Sequence, residues 1–352
     1  MRPHSKTHLF AMFAVFLAGC TGGKIPTSEK AAYIGSEACT TCHEDIYTSF
    51  RTTGHPYKLT KVVNGQIPEY PYTELPPNPP NFTYNDVSYV IGGFAWKARF
   101  IGLDGYIITQ GGQNQYNFET GQWVDYEANE VVPYDCAACH TTGYSDQGHQ
   151  DGLQGIEGTW AFPGIQCEAC HGPGSEHAAD PEYVAMVIDR SKELCGECHV
   201  RGNPYTIPAK GGFIKHHEQY NELLASKHAF FDCTDCHDPH QSAHYNPDLA
   251  IKNDCKACHW DKDVQIAGME NMSCLDCHMP YAAKSAVSSG QYKADVRSHL
   301  FSINPDSNAQ QFDPTGSFAN PYLTLEYTCL YAGCHDTETK GWAAQNAPLV
   351  HP

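Results

Sequence analysis

The sequence predicts a fold of short α-helices and irregular chain with one small antiparallel β insert, held together by something other than a large apolar core. Three observations carry this prediction. The 352 residues include 17 cysteines and 20 histidines. Hydrophobic residues make up only 41% of the chain, and 30 glycines and 23 prolines interrupt it. Disulfide scaffolds are usually short secreted domains. A chain of this length with 17 cysteines therefore indicates another use of sulfur.

The charge balance excludes one class of partner. The formal net charge is -18, with 22 Lys and Arg against 40 Asp and Glu. Binding to phosphates needs clustered basic side chains, so we expect no nucleic-acid partner. Charged residues are 18% of the chain, too few for a charged disordered tail. Hydrophobic residues are 41%, too few for a bundle of membrane spans.

The first 20 residues have the pattern of an export signal. Arg2 and Lys6 precede an apolar run over residues 9–18, which is too short to span a bilayer comfortably. The run ends in LAGC, residues 17–20, which resembles the bacterial lipoprotein signal box, in which the cysteine is acylated. We therefore expect a signal peptide over residues 1–19, a lipid anchor at Cys20 and a flexible tether over residues 20–35. The alternative is an ordinary cleaved signal beside a free cysteine.

The other sixteen cysteines form eight pairs, and a histidine follows each pair at once. Seven pairs have the spacing C-x-x-C-H and the last has C-x4-C-H. In chain order they are motif I (Cys39, Cys42, His43), motif II (Cys136, Cys139, His140), motif III (Cys167, Cys170, His171), motif IV (Cys195, Cys198, His199), motif V (Cys233, Cys236, His237), motif VI (Cys255, Cys258, His259), motif VII (Cys274, Cys277, His278) and motif VIII (Cys329, Cys334, His335). In C-x-x-C-H the two thiols attach haem and the histidine is placed to bind its iron. The motifs predict eight covalently attached haem c groups, with these eight histidines as proximal ligands.

Other uses of such pairs fit less well. Cysteine pairs at this spacing also bind zinc, but zinc does not require a histidine directly after every second cysteine. A thioredoxin-like redox site has one pair in a βαβ setting, whereas this chain has seven. The longer loop of motif VIII resembles one found in the tetrahaem cytochromes c3. For that motif the alternative is a disulfide beside an ordinary histidine.

Ten histidines outside the motifs and the signal are candidates for the second iron ligand. Eight are assigned here as candidate distal ligands: His55, His149, His177, His217, His228, His240, His244 and His299. His216 adjoins His217, and we expect one of the two to bind iron and the other to be exposed. We expect His351 to be a bystander. Two axial histidines close an iron, which favours electron transfer over a reaction at the metal.

The motif spacing predicts the organisation of the chain. We expect motif I, a Pro-rich loop and a β module over residues 36–135, a haem-dense core with motifs II to VII over residues 136–285, and an extension with motif VIII over residues 286–352. Aromatic and β-branched residues alternate over residues 86–126, which predicts a small antiparallel sheet with hairpin turns at residues 103–106 and 119–122. A longer helix is expected over residues 181–194.

Three segments resemble a known family. They are residues 33–39 (YIGSEAC), residues 167–177 (CEACHGPGSEH) and residues 277–280 (CHMP). They resemble the cytochrome c-554 type of multihaem cytochromes, which is related to pentahaem nitrite reductases and octahaem hydroxylamine-oxidising enzymes; the resemblance covers roughly residues 31–55 and 133–302. It implies a multihaem cytochrome c fold with haems in stacked and perpendicular bis-histidine pairs. The nitrite reductases carry one C-x-x-C-Lys haem, whereas every motif here ends in histidine.

These observations favour an electron-transfer lipoprotein of anaerobic respiration over an enzyme, without deciding between them. It would relay single electrons between periplasmic or outer-membrane donors and an extracellular or terminal acceptor. The expected location is the outer membrane, on its periplasmic or cell-surface face, and the expected partners are other redox proteins, such as a porin or other cytochromes. Two alternatives remain: a reductase of a small nitrogen or sulfur compound at one open or weakly ligated haem, and a haem protein that self-associates into filaments.

Overall fold

The computed structural model describes residues 31–351. Within that range most of the chain is irregular, and the helices are short. They are α1 Ser36–Phe50, α2 Ala137–His140, α3 Cys167–His171, α4 Ser175–Ala179, α5 Lys192–Gly196, α6 Gln219–Ala225, α7 Cys233–Cys236, α8 Pro247–Ala250, α9 Cys274–His278, α10 Leu325–Thr328 and α11 Lys340–Asn346. Among these residues no helix is both long enough and apolar enough to cross a bilayer. The predicted class of short helices and irregular chain with a β insert is confirmed.

The strands are also short, and most lie in one sheet. They are β1 Leu59–Lys61, β2 Val87–Gly92, β3 Lys97–Gly102, β4 Gln115–Asn117, β5 Gln122–Val124, β6 Thr141–Thr142, β7 Phe162–Pro163, β8 Ile207–Lys210, β9 Phe213–Ile214, β10 Ile303–Asn304, β11 Phe318–Ala319 and β12 Leu323–Thr324. Strands β1 to β5 form an antiparallel sheet in chain order. The β module predicted from residues 86–126 is therefore present, with β1 added at its edge.

Both predicted hairpin turns occur in this sheet. One follows β3, where the amide of Gly105 donates to the carbonyl of Gly102 and Ile101 pairs with Ile107. The other joins β4 to β5. Gly105 and Gly121 have φ angles of 89° and 62°, in the left-handed region that favours glycine.

Short helical turns carry the haem motifs, and the residue before the first cysteine often caps them. Asp232 and Ser273 each form a capping box at the start of motifs V and VII, and the side chain of Asp254 accepts from the amide of Ala257 in motif VI. These caps satisfy amides that a short helix leaves free. A helical turn brings the two cysteines of a pair to the same side of the chain, as attachment to one macrocycle requires.

The apolar core is sparse where the motifs are dense. Buried hydrophobic side chains cluster in the β module and in two smaller groups built around residues 207–214 with 282–327 and around residues 325–343. Between Trp160 and Ile207 no hydrophobic side chain of the described chain is buried, although motifs III and IV lie there. Side chains alone therefore do not make a core for this part of the molecule.

The prediction of a longer helix over residues 181–194 is wrong. A turn at residues 181–183 leads into irregular chain, and α5 begins only at Lys192. The carbonyls of Val184 and Val187 accept hydrogen bonds from Nδ1 of His177 and His171, at 2.6 and 2.7 Å. In a helix these carbonyls would accept hydrogen bonds from backbone amides, but here they accept from histidine side chains instead.

Candidate haem-binding sites

All sixteen cysteines of the described chain are free thiols, so no disulfide competes for a motif. Zinc sites of the structural kind need four converging ligands. Among residues 31–351 no group of three or more Cys, His, Asp or Glu side chains is arranged to hold a metal ion. Each of the eight motifs therefore offers two free thiols.

Six motif histidines face a histidine from elsewhere in the chain. The pairs are His43 with His177, His199 with His55, His171 with His240, His259 with His228, His237 with His299, and His278 with His351. Their ring centroids are separated by 6.0 to 6.4 Å in every pair. Each pair joins one motif histidine to one histidine outside the motifs.

This separation fits a metal between the two rings. A metal–imidazole bond is about 2 Å long and the ring centroid lies about 1.1 Å beyond the nitrogen, so two imidazoles on opposite sides of one metal have centroids about 6.2 Å apart. The rings of His335 and Trp342, which pack directly against each other, lie closer, at 4.7 Å. The six pairs therefore have the spacing that a bis-histidine iron requires.

Hydrogen bonds orient several of these rings. Nδ1 of His278 bonds the carbonyl of Phe301 at 2.7 Å, Nδ1 of His351 that of Asp263 at 3.0 Å, and Nδ1 of His199 the amide oxygen of Gln219 at 3.1 Å. A proton on Nδ1 leaves Nε2 free to bind a metal and fixes the plane of the ring. Burial lowers the pKa of His55 and of His299 to about 3, which keeps both in the neutral form that can bind iron.

The candidate distal ligands divide into two groups. His55, His177, His228, His240 and His299 each face a motif histidine. The other three pair with no motif histidine at this spacing in the described chain. His217 lies against His216 and interacts electrostatically with His140 and His199. His244 packs on Trp96, and His149 is exposed with Nδ1 bonded to the carbonyl of Ile156.

His351, which the sequence analysis set aside, faces His278 at 6.1 Å. A bond between the amide of Gln265 and the carbonyl of Val350 draws this segment onto the loop after motif VI. Only tertiary structure brings these two parts of the chain together, and no local pattern in the sequence signals it.

His351→Ala is expected to open one iron. Motif VII would lose its second imidazole, so one haem in eight should change from low-spin to high-spin in the ferric electron paramagnetic resonance spectrum. His149→Ala is the matched control, because His149 faces no motif histidine in residues 31–351, and it should leave the spectrum unchanged. A low-spin spectrum in both variants would contradict the assignment of His351.

Motifs II and VIII differ from the other six. Within residues 31–351 no imidazole pairs with His140 or His335 at 6.0 to 6.4 Å, although His217 interacts electrostatically with His140. The ring of Trp342 packs on His335 at 4.7 Å, and the ring of Tyr134 lies 6.4 Å from that of His140. Nδ1 of His140 is buried without a hydrogen-bond partner in the described structure.

Basic side chains surround motif II. Lys58 interacts electrostatically with His140, and Arg99 with Cys136. Six side chains form this set, which we call the basic cluster: Lys58, Lys97, Arg99, Arg201, His216 and His217. Burial, and then the charge of Arg99, lowers the pKa of Lys97 to about 7. Burial lowers the pKa of His216 and of His217 far below neutral pH, so the positive charges here are those of the lysines and arginines, of which Arg201 is paired with Glu218. In a chain of net charge -18 these charges favour small anions at this place.

Thiols of different motifs lie close enough to interact, which gives the order of the motifs in space. The neighbouring pairs are Cys39 with Cys167, Cys170 with Cys195, Cys195 with Cys233, Cys236 with Cys258, Cys255 with Cys274, Cys277 with Cys329, and Cys139 with Cys198. The first six connect motifs I, III, IV, V, VI, VII and VIII in one continuous series. The seventh attaches motif II to motif IV as a branch.

Comparisons with known proteins find the same fold in multihaem cytochromes. Residues 112–172 match the family model described as cytochrome c554 and c-prime. The structure is similar to the outer cell wall cytochrome OcwA, at 20% identity and a TM-score of 0.58, over 89% of this chain and 86% of that one. It is also similar to the octahaem sulfite reductase MccA of Wolinella succinogenes, at 16% identity and a TM-score of 0.60, over 88% of this chain and 66% of that one. At these identities the likeness is one of fold.

Proposed function

We propose, from the premise that this chain has the fold of the multihaem c-type cytochromes, that it holds eight haem c groups and relays single electrons among them. The observation that carries the proposal is the set of six histidine pairs at 6.0 to 6.4 Å. Haem supplies one-electron transfer when it is bound. The chain's own residues attach each group through two thiols, close six irons with a second imidazole, and orient the rings through Nδ1.

The order of the motifs supports a relay. Neighbouring thiols connect seven motifs into one series from motif I to motif VIII. Macrocycles attached to adjacent thiols are close neighbours, so each electron has a short next step. Motifs I and VIII are the two ends of this series, and we assign the contacts with donor and acceptor proteins to these ends.

We further propose that the protein is exported and lipid-anchored at Cys20, which lies outside the described residues, after removal of residues 1–19. The signal-like pattern of residues 1–20 supports export. The similarity to a cytochrome of the outer cell wall supports it as well. The proposed partners are other redox proteins at the outer membrane, such as a porin or other cytochromes. A self-associated filament remains an alternative arrangement of the same relay.

Motif II favours a second function, reduction of a small sulfur or nitrogen oxyanion. His217 interacts electrostatically with His140 but does not pair with it at the 6.0 to 6.4 Å of the other motifs, so the far side of this haem would be less firmly closed to a ligand. The basic cluster would bind the anion and hold it against that face. Motif II is also a branch of the series, with Cys139 beside Cys198 of motif IV, and a terminal position suits a site that consumes electrons.

Voltammetry of the protein adsorbed on an electrode separates the two functions. A relay alone is expected to show reversible waves that sulfite and nitrite leave unchanged. A catalytic current with either anion would establish the reductase, and Arg99→Gln should then reduce that current several-fold because it removes a positive charge near motif II. Lys61→Gln is the matched control, since Lys61 lies on strand β1 of the same sheet and pairs with Asp151 at 2.7 Å.

A further inference from the structure

Glu168 is a buried carboxylate inside a haem motif. It is the first residue between Cys167 and Cys170 and is only 2% exposed. Its oxygens accept hydrogen bonds from three backbone amides: Ile34 at 2.9 and 3.1 Å, Gly35 at 2.7 Å and Gly174 at 2.8 Å. Attachment of haem needs only the cysteines and the histidine of a motif, so this side chain does something else.

The three amides belong to two different segments. Gly35 is the residue before α1, the helix that carries motif I and His43. Gly174 is the residue before α4, the helix that carries His177. His43 and His177 are the two rings that face each other at 6.4 Å. One carboxylate therefore ties together the starts of the two helices that supply both axial rings of the motif I haem.

Neighbouring serines extend the same connection. The Oγ of Ser36 accepts from the amide of Cys167 at 3.0 Å, and the Oγ of Ser175 accepts from the amide of Ala32 at 2.8 Å. Residues 32–36, 167–168 and 174–175 thus form one hydrogen-bonded unit around Glu168.

We propose that Glu168 is a positioning residue that sets the spacing of His43 and His177 and couples the motif I haem to motif III. The inference rests on the proposed bis-histidine haem at motif I. Glu168 also interacts electrostatically with Cys39, so its negative charge lies close to the motif I attachment. That charge favours the ferric over the ferrous iron and lowers the reduction potential of this haem.

The contacts require a carboxylate. A glutamine keeps the length of the side chain but turns an N–H₂ group towards one of the amides, which leaves buried donors unpaired. Gly174 is part of the same fit, because a Cβ there would lie 3.2 Å from Oε1 of Glu168 and 3.3 Å from the side chain of Ile34. Gly174→Ala should therefore displace the α4 segment without removing the charge.

The test compares Glu168→Gln and Gly174→Ala by electron paramagnetic resonance and by redox titration of the eight-haem protein. His177→Ala identifies the motif I haem as the low-spin signal that it removes. Both variants should shift that signal and leave the others in place. Glu168→Gln should also raise the potential of this haem, which a loss of stability alone would not do. Glu197→Gln is the control, because Glu197 is an exposed residue of motif IV.

Two results would overturn the inference. One is an unchanged motif I signal and potential in Glu168→Gln. The other applies if Glu168→Gln does not assemble: an unchanged motif I signal in Gly174→Ala would then overturn the inference. In either case, conversion of one haem to high-spin by His177→Ala would leave the proposed axial pair standing. A low-spin motif I haem in His177→Ala would instead contradict the pair itself.

Discussion

Replacing Cys195 and Cys198 with alanine is expected to abolish electron transfer between motif I and motif VIII almost completely. Motif IV is the junction of the series, because its thiols lie beside those of motifs II, III and V. Without its haem the remaining groups separate into three parts. Rapid-mixing experiments should then show fast reduction of only a fraction of the haems, and the slow fraction should not respond to a higher concentration of reductant.

The matched variant lacks the haem at the end of the series. Replacing Cys329 and Cys334 with alanine also leaves seven haems, but it interrupts no path between the others, so all seven should still be reduced rapidly. Pyridine haemochrome analysis of both variants would establish the haem count. Equal behaviour of the two variants would contradict the proposed order of the motifs.

A chain produced without haem attachment is expected to lose structure over residues 161–206 and to keep it in the β module. The sheet has its own buried side chains, among them Val90, Phe100 and Ile101, each with no exposed surface. Over residues 161–206 no hydrophobic side chain is buried, so nothing there offsets the entropy of ordering the chain. Hydrogen exchange of the haem-free chain should show protection in strands β2 and β3 and almost none around motifs III and IV.

The haem-loaded protein serves as the reference for that experiment. Its residues 161–206 should exchange slowly, since each attached haem adds buried apolar surface and two covalent links. Protection of residues 161–206 in the haem-free chain would show that side chains alone form a core there. That result would contradict the role assigned to the haems in the fold.

The sequence predicted the parts of this molecule that local spacing determines. Motif recognition needs only a few adjacent residues, and the hairpin turns at Gly105 and Gly121 follow from short patterns with a required left-handed glycine. The helix expected over residues 181–194 failed because its carbonyls bond to His171 and His177, which is a tertiary effect. Local propensity contains no information about such partners.

The distal ligands show the same limit. His177 lies close in sequence to motif III but faces His43 of motif I, and His55, close to motif I, faces His199 of motif IV. Nearness in sequence therefore does not identify the iron that a histidine serves. The pairing of His351 with His278 depends on the return of the chain past Asp263, and the basic cluster brings together residues from 58 to 217. Both the His351–His278 pair and the basic cluster are seen only in the folded structure.

Counting the haems and their axial ligands tests the central claim most directly. Mass spectrometry of the purified protein gives the number of attached haems, and near-infrared magnetic circular dichroism of the ferric protein gives the number with two histidine ligands. We expect eight haems, six of them bis-histidine, with the haems of motifs II and VIII outside that class. Fewer than eight attached haems, or bis-histidine ligation of all eight by the described histidines, would contradict this account.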